Sequence, residues 1–279
     1  MLLFEISRFI RKSKIRIVIV VLLLLLASVF SKKNVYELLR VSNLLPDNAV
    51  LSVPDFLIGI LNSTQFVMYF IFPVLFSILI ADIITADFNE GLINFILPRL
   101  KNRFQYIITK CTMVFLMSIL FTCFVVFITA LLVAVSFNMP FNHNKYHYIF
   151  LITAKSGGSM FITYMSMVTT FIIGLTFIGL ITLVVSFYTR SAGVAIGVII
   201  ILSFIHNAFY VVSSDLIIWL PFSQYIVGLH NHFAPYGIPV RYFTMHFSNI
   251  YLFVGIALMI VLLILKIRKV DINNVESKG

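Results

Sequence analysis

The sequence predicts an all-α, polytopic membrane protein with six transmembrane helices, and three observations lead to this prediction. Apolar residues make up 61% of the 279 residues and charged residues only 11%, whereas soluble domains are about half apolar and a quarter charged. The apolar residues gather in long runs, and lysine and arginine stand in short clusters beside these runs. Because so few charges cannot cover a water-facing surface, lipid must form a large part of the solvent.

The whole chain, residues 1–279, is predicted to form a single transmembrane domain. The first span is short for a hydrocarbon core of about 30 Å, and the third is long enough for its Lys110 end to project into water. A tight turn joins the fourth and fifth spans, and a proline-containing linker precedes the sixth. The predicted spans cover residues 15–30, 65–86, 106–137, 160–187, 192–212 and 248–265.

The distribution of basic residues predicts how the chain is oriented. If both termini are placed on one side of the membrane, fourteen of the twenty lysines and arginines lie on that side. Positive residues concentrate on the cytoplasmic face. Frequent Ile, Asn, Lys and Phe also suggest a bacterial source. We therefore expect a multi-pass protein of the bacterial cytoplasmic membrane, with both termini and residues 87–105 inside the cell.

Residues 1–14 have the pattern of an amphipathic helix. Apolar residues recur there at helical spacing, and Arg8, Arg11 and Lys12 fall mostly on the opposite side. This pattern predicts a helix in the cytoplasmic interface of the lipid bilayer, with its basic groups facing anionic headgroups. A basic tail without fixed structure is the alternative.

The sequence lacks the motifs that would indicate an enzyme. It contains no G-x-x-x-x-G-K-[ST], H-E-x-x-H, C-x-x-C or G-x-S-x-G pattern, so nucleotide, metal and acyl-transfer sites have no support. His206, beside Asn207, is the only histidine in a predicted span and is interpreted as a packing residue. Asp82 is interpreted as a helix-end residue rather than a proton or cation site. Because the basic residues flank apolar runs, they indicate membrane topology rather than nucleic-acid binding.

The most informative segment is the inner loop between the second and third spans. Asp87 and Glu90 suit the first turn of a short helix, where acidic groups complement the helix dipole. Gly91 permits a bend, and Pro98 ends the helix. An amphipathic helix over residues 87–98 would either dock on a cytoplasmic partner or rest on the membrane surface. The candidate coupling residues are Asp87, Phe88, Glu90, Gly91, Phe95, Leu97, Pro98, Arg99 and Arg103.

This segment resembles the hallmark of type-2 permease subunits of ATP-binding-cassette exporters. That hallmark reads approximately E-x-G-T-x-x-x-L-x-x-P-x-x-R-x-x-x-x-x-x-K. The segment departs from it at two places: Glu90 directly abuts Gly91, and Leu92 stands where threonine is usual. The residues at similar places are Glu90, Gly91, Leu97, Pro98, Arg103 and Lys110. The segment with Pro221 and Tyr225 looks like the re-entrant outer hairpin that this family has before its last span.

The resemblance implies partners and a function. Two permease chains, identical or different, would assemble with two separate ATPase subunits, and those subunits would bind ATP and Mg²⁺. The permease itself would hold no cofactor and would lie among membrane lipids. We expect export of a hydrophobic or amphipathic peptide or drug. The alternative is a membrane sensor, immunity or assembly factor that binds a ligand through its outer loops without pumping.

Overall fold

The chain is all-helical wherever its structure is described. The computed structural model describes residues 2–23, 53, 57, 61, 70–100, 102–137, 160–212, 214–230 and 242–269, and these contain no β-strand. The α-helices are α1 Leu2–Lys12, α2 over 14–23, α3 Phe72–Ile80, α4 Asp82–Asn89, α5 Ile93–Ile96, α6 Arg103–Phe137, α7 Met160–Thr189, α8 Ala192–Val212, α9 Ser214–Ile217 and α10 Met245–Arg268.

Five helical stretches within these residues are long and apolar enough to cross a membrane. They are Phe72–Asn89, Arg103–Leu131, Tyr164–Thr189, Ala192–Phe209 and Met245–Arg268. Each overlaps one of the predicted second to sixth spans. The described part of the predicted first span is helical as α2, and its remainder lies outside the described residues. The prediction of a helical membrane protein is therefore confirmed, and five of its spans have a helical counterpart.

Two spans begin three residues earlier than the apolar runs predict, because polar residues cap them. The Asn102 side chain accepts a hydrogen bond from the Phe104 N–H at 2.9 Å, at the start of α6. The Thr244 side chain accepts one from the Phe247 N–H at 3.3 Å, at the start of α10. A capping side chain satisfies an amide that has no partner in the first helical turn, so the helix can extend past its apolar part.

Helix α7 is the centre of the packing and contacts α3, α4, α6, α8 and α10. Its buried side chains form one apolar core with those of the surrounding helices. One polar contact crosses this core, where the Ser118 and Thr176 hydroxyls of α6 and α7 lie 2.8 Å apart. The fully buried apolar residues of α7 include Phe171, Leu175, Ile178 and Leu183.

Residues 214–230 form a compact segment between α8 and α10. Helix α9 is followed by two 3-10 turns, Ser223–Tyr225 and Val227–Leu229. Pro221 is half-buried at the bend before the first turn, and the Tyr225 side chain is 1% exposed. The Tyr225 ring packs directly against Gly174 of α7, where no larger residue would fit. The part of the segment around Tyr225 is thus packed inside the helix bundle.

Hydrogen bonds also hold this segment to α10. The Ser248 hydroxyl lies 2.8 Å from Gln224 Oε1 and 2.6 Å from His230 Nε2, and the Gln224 amide donates to the carbonyls of Ile218 and Leu220. Burial lowers the pKa of His230 to about 4, against the opposing effect of backbone hydrogen bonds, so the ring is uncharged at neutral pH. Close polar contacts of this kind between buried groups favour one packing arrangement.

The close approach of Tyr225 to α7 leads to a first prediction. Replacing Gly174 by Ala adds a methyl group that overlaps the Tyr225 ring, and overpacking of this kind costs about 1–3 kcal/mol. The variant Gly174→Ala should therefore unfold at a lower temperature in detergent, as followed by circular dichroism. Gly197→Ala is the matched control, because nothing lies within 4 Å of a Cβ at that helical position. Equal unfolding temperatures for the two variants would contradict this packing.

Candidate functional site

A cluster of charged side chains lies where α1, the end of α4 and the start of α6 meet. We define the charge cluster by six residues: Glu5 and Arg8 of α1, Asp87 of α4, Glu90, which is the first residue after α4, and Tyr106 and Lys110 of α6. Three segments that are far apart in the sequence therefore meet through charge.

Asp87 is the centre of the charge cluster. Its side chain is fully buried, and each of its two oxygens has a partner. Oδ2 lies 2.7 Å from Lys110 Nζ and accepts a hydrogen bond from the Tyr106 hydroxyl, also at 2.7 Å. Oδ1 pairs with the Arg8 guanidinium. Asp87 thus joins one cation from α1 to one cation from α6.

Lys110 and Arg8 extend the charge cluster to two further carboxylates. Lys110 is fully buried, and its Nζ lies 2.8 Å from Glu5 Oε2. Arg8 Nη2 donates to Glu90 Oε2 at 3.1 Å. The charge cluster contains two cations and three carboxylates, so every buried cation faces more than one anion.

The pairing in the charge cluster is what makes its burial tolerable. An ionised group moved alone into an apolar interior loses several kcal/mol or more of hydration, and only close, well-oriented partners restore it. Burial works to lower the pKa of the Arg8 guanidinium. The hydrogen bond to Asp87 and the attraction of Asp87 and Glu90 outweigh that effect, so the pKa of Arg8 lies above its ordinary value. Arg8 therefore stays charged in the cluster.

Helical spacing explains how the sequence builds this arrangement. Glu5 and Arg8 are three residues apart on α1, and Tyr106 and Lys110 are four apart on α6. Residues at these separations lie on one face of a helix, so each pair points towards the same neighbour. The Lys110 Nζ also lies 5.2 Å from the centroid of the Tyr106 ring, within cation–π distance.

The inner loop, predicted as one helix over 87–98, has a different structure. We call its residues 90–99, which follow α4, the inner segment. Asp87 lies near the end of α4 and Glu90 is its C-cap, so neither is in the first turn of a new helix. The reason is Gly91, whose φ of 66° is left-handed and stops the helix. The prediction of their place in a helix was wrong, whereas the predicted bend at Gly91 is confirmed.

After Gly91 the chain forms only α5 and a 3-10 turn, Leu97–Arg99, which contains Pro98. Ile93 and Leu97 are buried, while the Phe95 side chain is 64% exposed. Pro98 and Arg99 are exposed and Arg103 is half-buried. The segment therefore packs apolar residues inward and presents an aromatic ring outward.

Phe88 connects the inner segment to the turn between α7 and α8. Its ring lies 5.5 Å from the Phe187 ring, and the Arg190 guanidinium lies 5.2 Å from its centroid. At the end of α7, just before this turn, the centroid of the Tyr188 ring lies 4.7 Å from Lys266 Nζ of α10. The charge cluster, the turn at Arg190 and the end of α10 are therefore at the same end of the bundle.

The structure corrects the predicted role of Arg8. Its side chain is only 12% exposed and points into the charge cluster, not towards lipid headgroups, because the carboxylates of Asp87 and Glu90 attract it. Arg11 is exposed, as predicted for that helix face, and the Lys12 side chain lies outside the described residues. Asp82 pairs with Arg16 at the edge of the bundle, in agreement with a helix-end role.

The two polar residues predicted inside the fifth span are separated by the structure. His206 is fully buried, and its ring packs edge-on to Phe222 at a centroid distance of 5.5 Å. Asn207 is exposed. The packing interpretation of His206 is therefore supported by its surroundings, and Asn207 does not share them.

Sequence reasoning missed Glu5, Tyr106 and Lys110 as members of one site. The available signal was the pairing of Glu5 with Arg8 and of Tyr106 with Lys110 at helical spacing beside apolar runs. That signal shows which residues share a face, but it does not show which faces meet.

The long apolar helices and their charged end define a membrane protein with several helical spans. A sequence profile of the family described as "Protein of unknown function (DUF2705)" matches residues 15–273, and the chain belongs to that family. The comparison with curated proteins returned no match, and the comparison with solved structures returned none either.

The difference between a buried and an exposed ion pair gives a second prediction. Lys110→Met leaves the buried Glu5 without its cation and leaves Asp87 with Arg8 as its only cation. Breaking a buried pair costs about 3–5 kcal/mol. Arg16→Gln breaks a pair whose side chains are 37% and 33% exposed, and such pairs contribute about 0–1 kcal/mol. The free energy of unfolding of each variant, measured in mixed detergent micelles, should fall much more for Lys110→Met than for Arg16→Gln.

A double variant tests whether Lys110 and Asp87 act together. Lys110→Met combined with Asp87→Asn should cost less than the sum of the two single substitutions, because neither charge is then left alone. A strictly additive loss would show that the two side chains do not form the described pair.

Proposed function

We propose that this chain is the membrane subunit of an ATP-driven exporter and that separate ATPase subunits energise it. The observation that carries the proposal is the exposed Phe95 on the short inner segment, whose base is anchored by the charge cluster. A side chain that is 64% exposed on a buried base is suited to contact a partner.

The charge cluster gives this segment a rigid connection to the spans. Asp87 is four residues before Gly91 and is bound to α1 and α6 at once. Phe88 packs on α7 through Phe187. A displacement of Phe95 is therefore transmitted to α1, α6 and α7. Separating the contacts of Asp87 would leave a buried charge without its partner, which is energetically costly. An exporter needs a rigid connection of this kind between its ATPase and its transmembrane helices.

The proposed topology has six spans with both termini in the cytoplasm. The charge cluster, the Arg190 turn and the basic end of α10 lie at one end of the bundle, and positive residues favour the cytoplasmic side. The segment 214–230 then lies near the opposite face. With its buried Tyr225 and its bend at Pro221, it is suited to a re-entrant outer hairpin.

We further propose that the substrate is a hydrophobic or amphipathic molecule, a peptide or a drug. The long α6 carries phenylalanine along much of its length, and Phe115 and Phe127 are 44% and 64% exposed. An apolar path of this kind favours substrates that partition into lipid. A second copy of the chain, or a related chain, would complete the transport path, and ATP and Mg²⁺ would be bound by the ATPase partner.

A third prediction tests the partner and the position of its contact. The chain, tagged at its C-terminus and purified from its own membranes after mild cross-linking, should carry a P-loop ATPase of about 200–300 residues, a typical single domain or slightly more. Phe95→Asp should reduce recovery of that ATPase by roughly thirtyfold, as expected for loss of a central aromatic contact of about 2 kcal/mol.

Trp219→Asp is the matched control, because Trp219 is a similarly exposed aromatic residue, at 60%, in the segment between α8 and α10. Its recovery of the ATPase should equal that of the unchanged chain. If no ATPase accompanies the chain, the exporter assignment is wrong, and a sensor or immunity role becomes the better account. If both variants lose the ATPase equally, Phe95 is not the contact.

A further inference from the structure

Two neighbouring cavities lie beside α1. The larger cavity has a volume of about 480 Å³ and lies between α1–α2 and α6, within the range of about 300–1,000 Å³ typical of ligand sites. The smaller has a volume of about 120 Å³ and lies among charged side chains. Both are lined by Phe9 and Met113, so they share a wall and form one groove with an apolar and a charged part.

The apolar part has the dimensions of one membrane leaflet. Its wall on α6 runs from Met113 to Phe124, which is about 16 Å of helix at 1.5 Å per residue. Half of a hydrocarbon core of about 30 Å has nearly the same depth. Apolar side chains form its walls throughout, among them Ile17, Val20, Leu79, Met117 and Leu120. An acyl chain lying along α6 would fill this part.

The charged part contains both signs of charge. It is lined by Arg8 and Arg16 and by Glu5, Asp82 and Glu90. The pair of Arg16 with Asp82 is about one third exposed, so it is open to a ligand at the surface. A phosphate would bind the guanidinium of Arg16, and an ammonium group would bind the carboxylate of Asp82.

Glu5 adds a second and independent indication. Its side chain is only 7% exposed, and among the described residues its Oε1 has no hydrogen-bond partner. A buried carboxylate oxygen without a donor is costly. Asp87 and Lys110 pair with side chains of this part, and with them four carboxylates face three cations. The remaining negative charge favours a ligand group that donates a hydrogen bond and carries positive charge.

We propose that this groove binds a single zwitterionic phospholipid, with one acyl chain against α6 and an ammonium-bearing headgroup among Glu5, Asp82 and Arg16. The ligand comes from the leaflet at the charged end of the bundle. This site is separate from Phe95 and does not depend on an ATPase partner. A purely anionic lipid fits less well, since it offers no positively charged donor to the carboxylates.

Native mass spectrometry of the delipidated full chain, supplied with equimolar phosphatidylethanolamine and phosphatidylglycerol of the same acyl chains, tests the proposal. The unchanged chain should retain one phosphatidylethanolamine, favoured roughly tenfold, which is the contribution of one hydrogen bond to a charged group. Equal retention of the two lipids, or a preference for phosphatidylglycerol, would overturn the headgroup assignment.

Variants locate the binding. Leu120→Trp and Leu116→Trp fill the apolar part and should each reduce retention at least tenfold, whereas Phe115→Trp, on the same helix but outside the groove, should not. Asp82→Asn should keep a bound lipid but bring the ratio of the two lipids close to one. Unfolding temperatures equal to that of the unchanged chain show that each variant is folded. If folded groove variants retain lipid like the unchanged chain, or a second protein copy replaces the lipid, the groove is not a phospholipid site.

Discussion

The contact between Lys110 and Asp87 is the constraint on which the charged end of the helix bundle depends. Both side chains are fully buried and their charged atoms are 2.7 Å apart. Removing either one leaves the other with a single charged partner, Arg8 for Asp87 and Glu5 for Lys110, and this compensates less of the hydration lost on burial. The contact therefore sets the height of α6 relative to α4, and Arg8 and Glu5 set the position of α1 relative to both.

The inner segment takes its shape from this constraint. Asp87 must remain helical to reach Lys110, so the chain can turn only after α4, and Gly91 provides the left-handed backbone for that turn. Ile93 and Leu97 then pack inward, which leaves Phe95 outside. The exposed ring is thus a consequence of where the buried charges are, and its position would shift with them.

The sequence was sufficient to predict where most of the long helices lie along the chain. It was insufficient to predict which helices contact one another. Apolar runs predicted spans such as 192–212, because lipid selects for long apolar helices regardless of their neighbours. The capped starts of α6 and α10 were missed by three residues, since hydropathy does not register a capping Asn102 or Thr244. Arg8 was expected to face lipid headgroups, because its partner Asp87 is distant in the sequence and only the fold brings the two together.

The separation of Arg8 from Asp87 has a consequence for how the protein is made. Arg8 precedes Asp87 by 79 residues, so the ribosome releases the first helix long before its carboxylate partner exists. During that interval Arg8 and Glu5 lack their partners from α4 and α6. Synthesis of α6 then delivers Lys110, which completes the charge cluster and holds the early helix against α4 and α6.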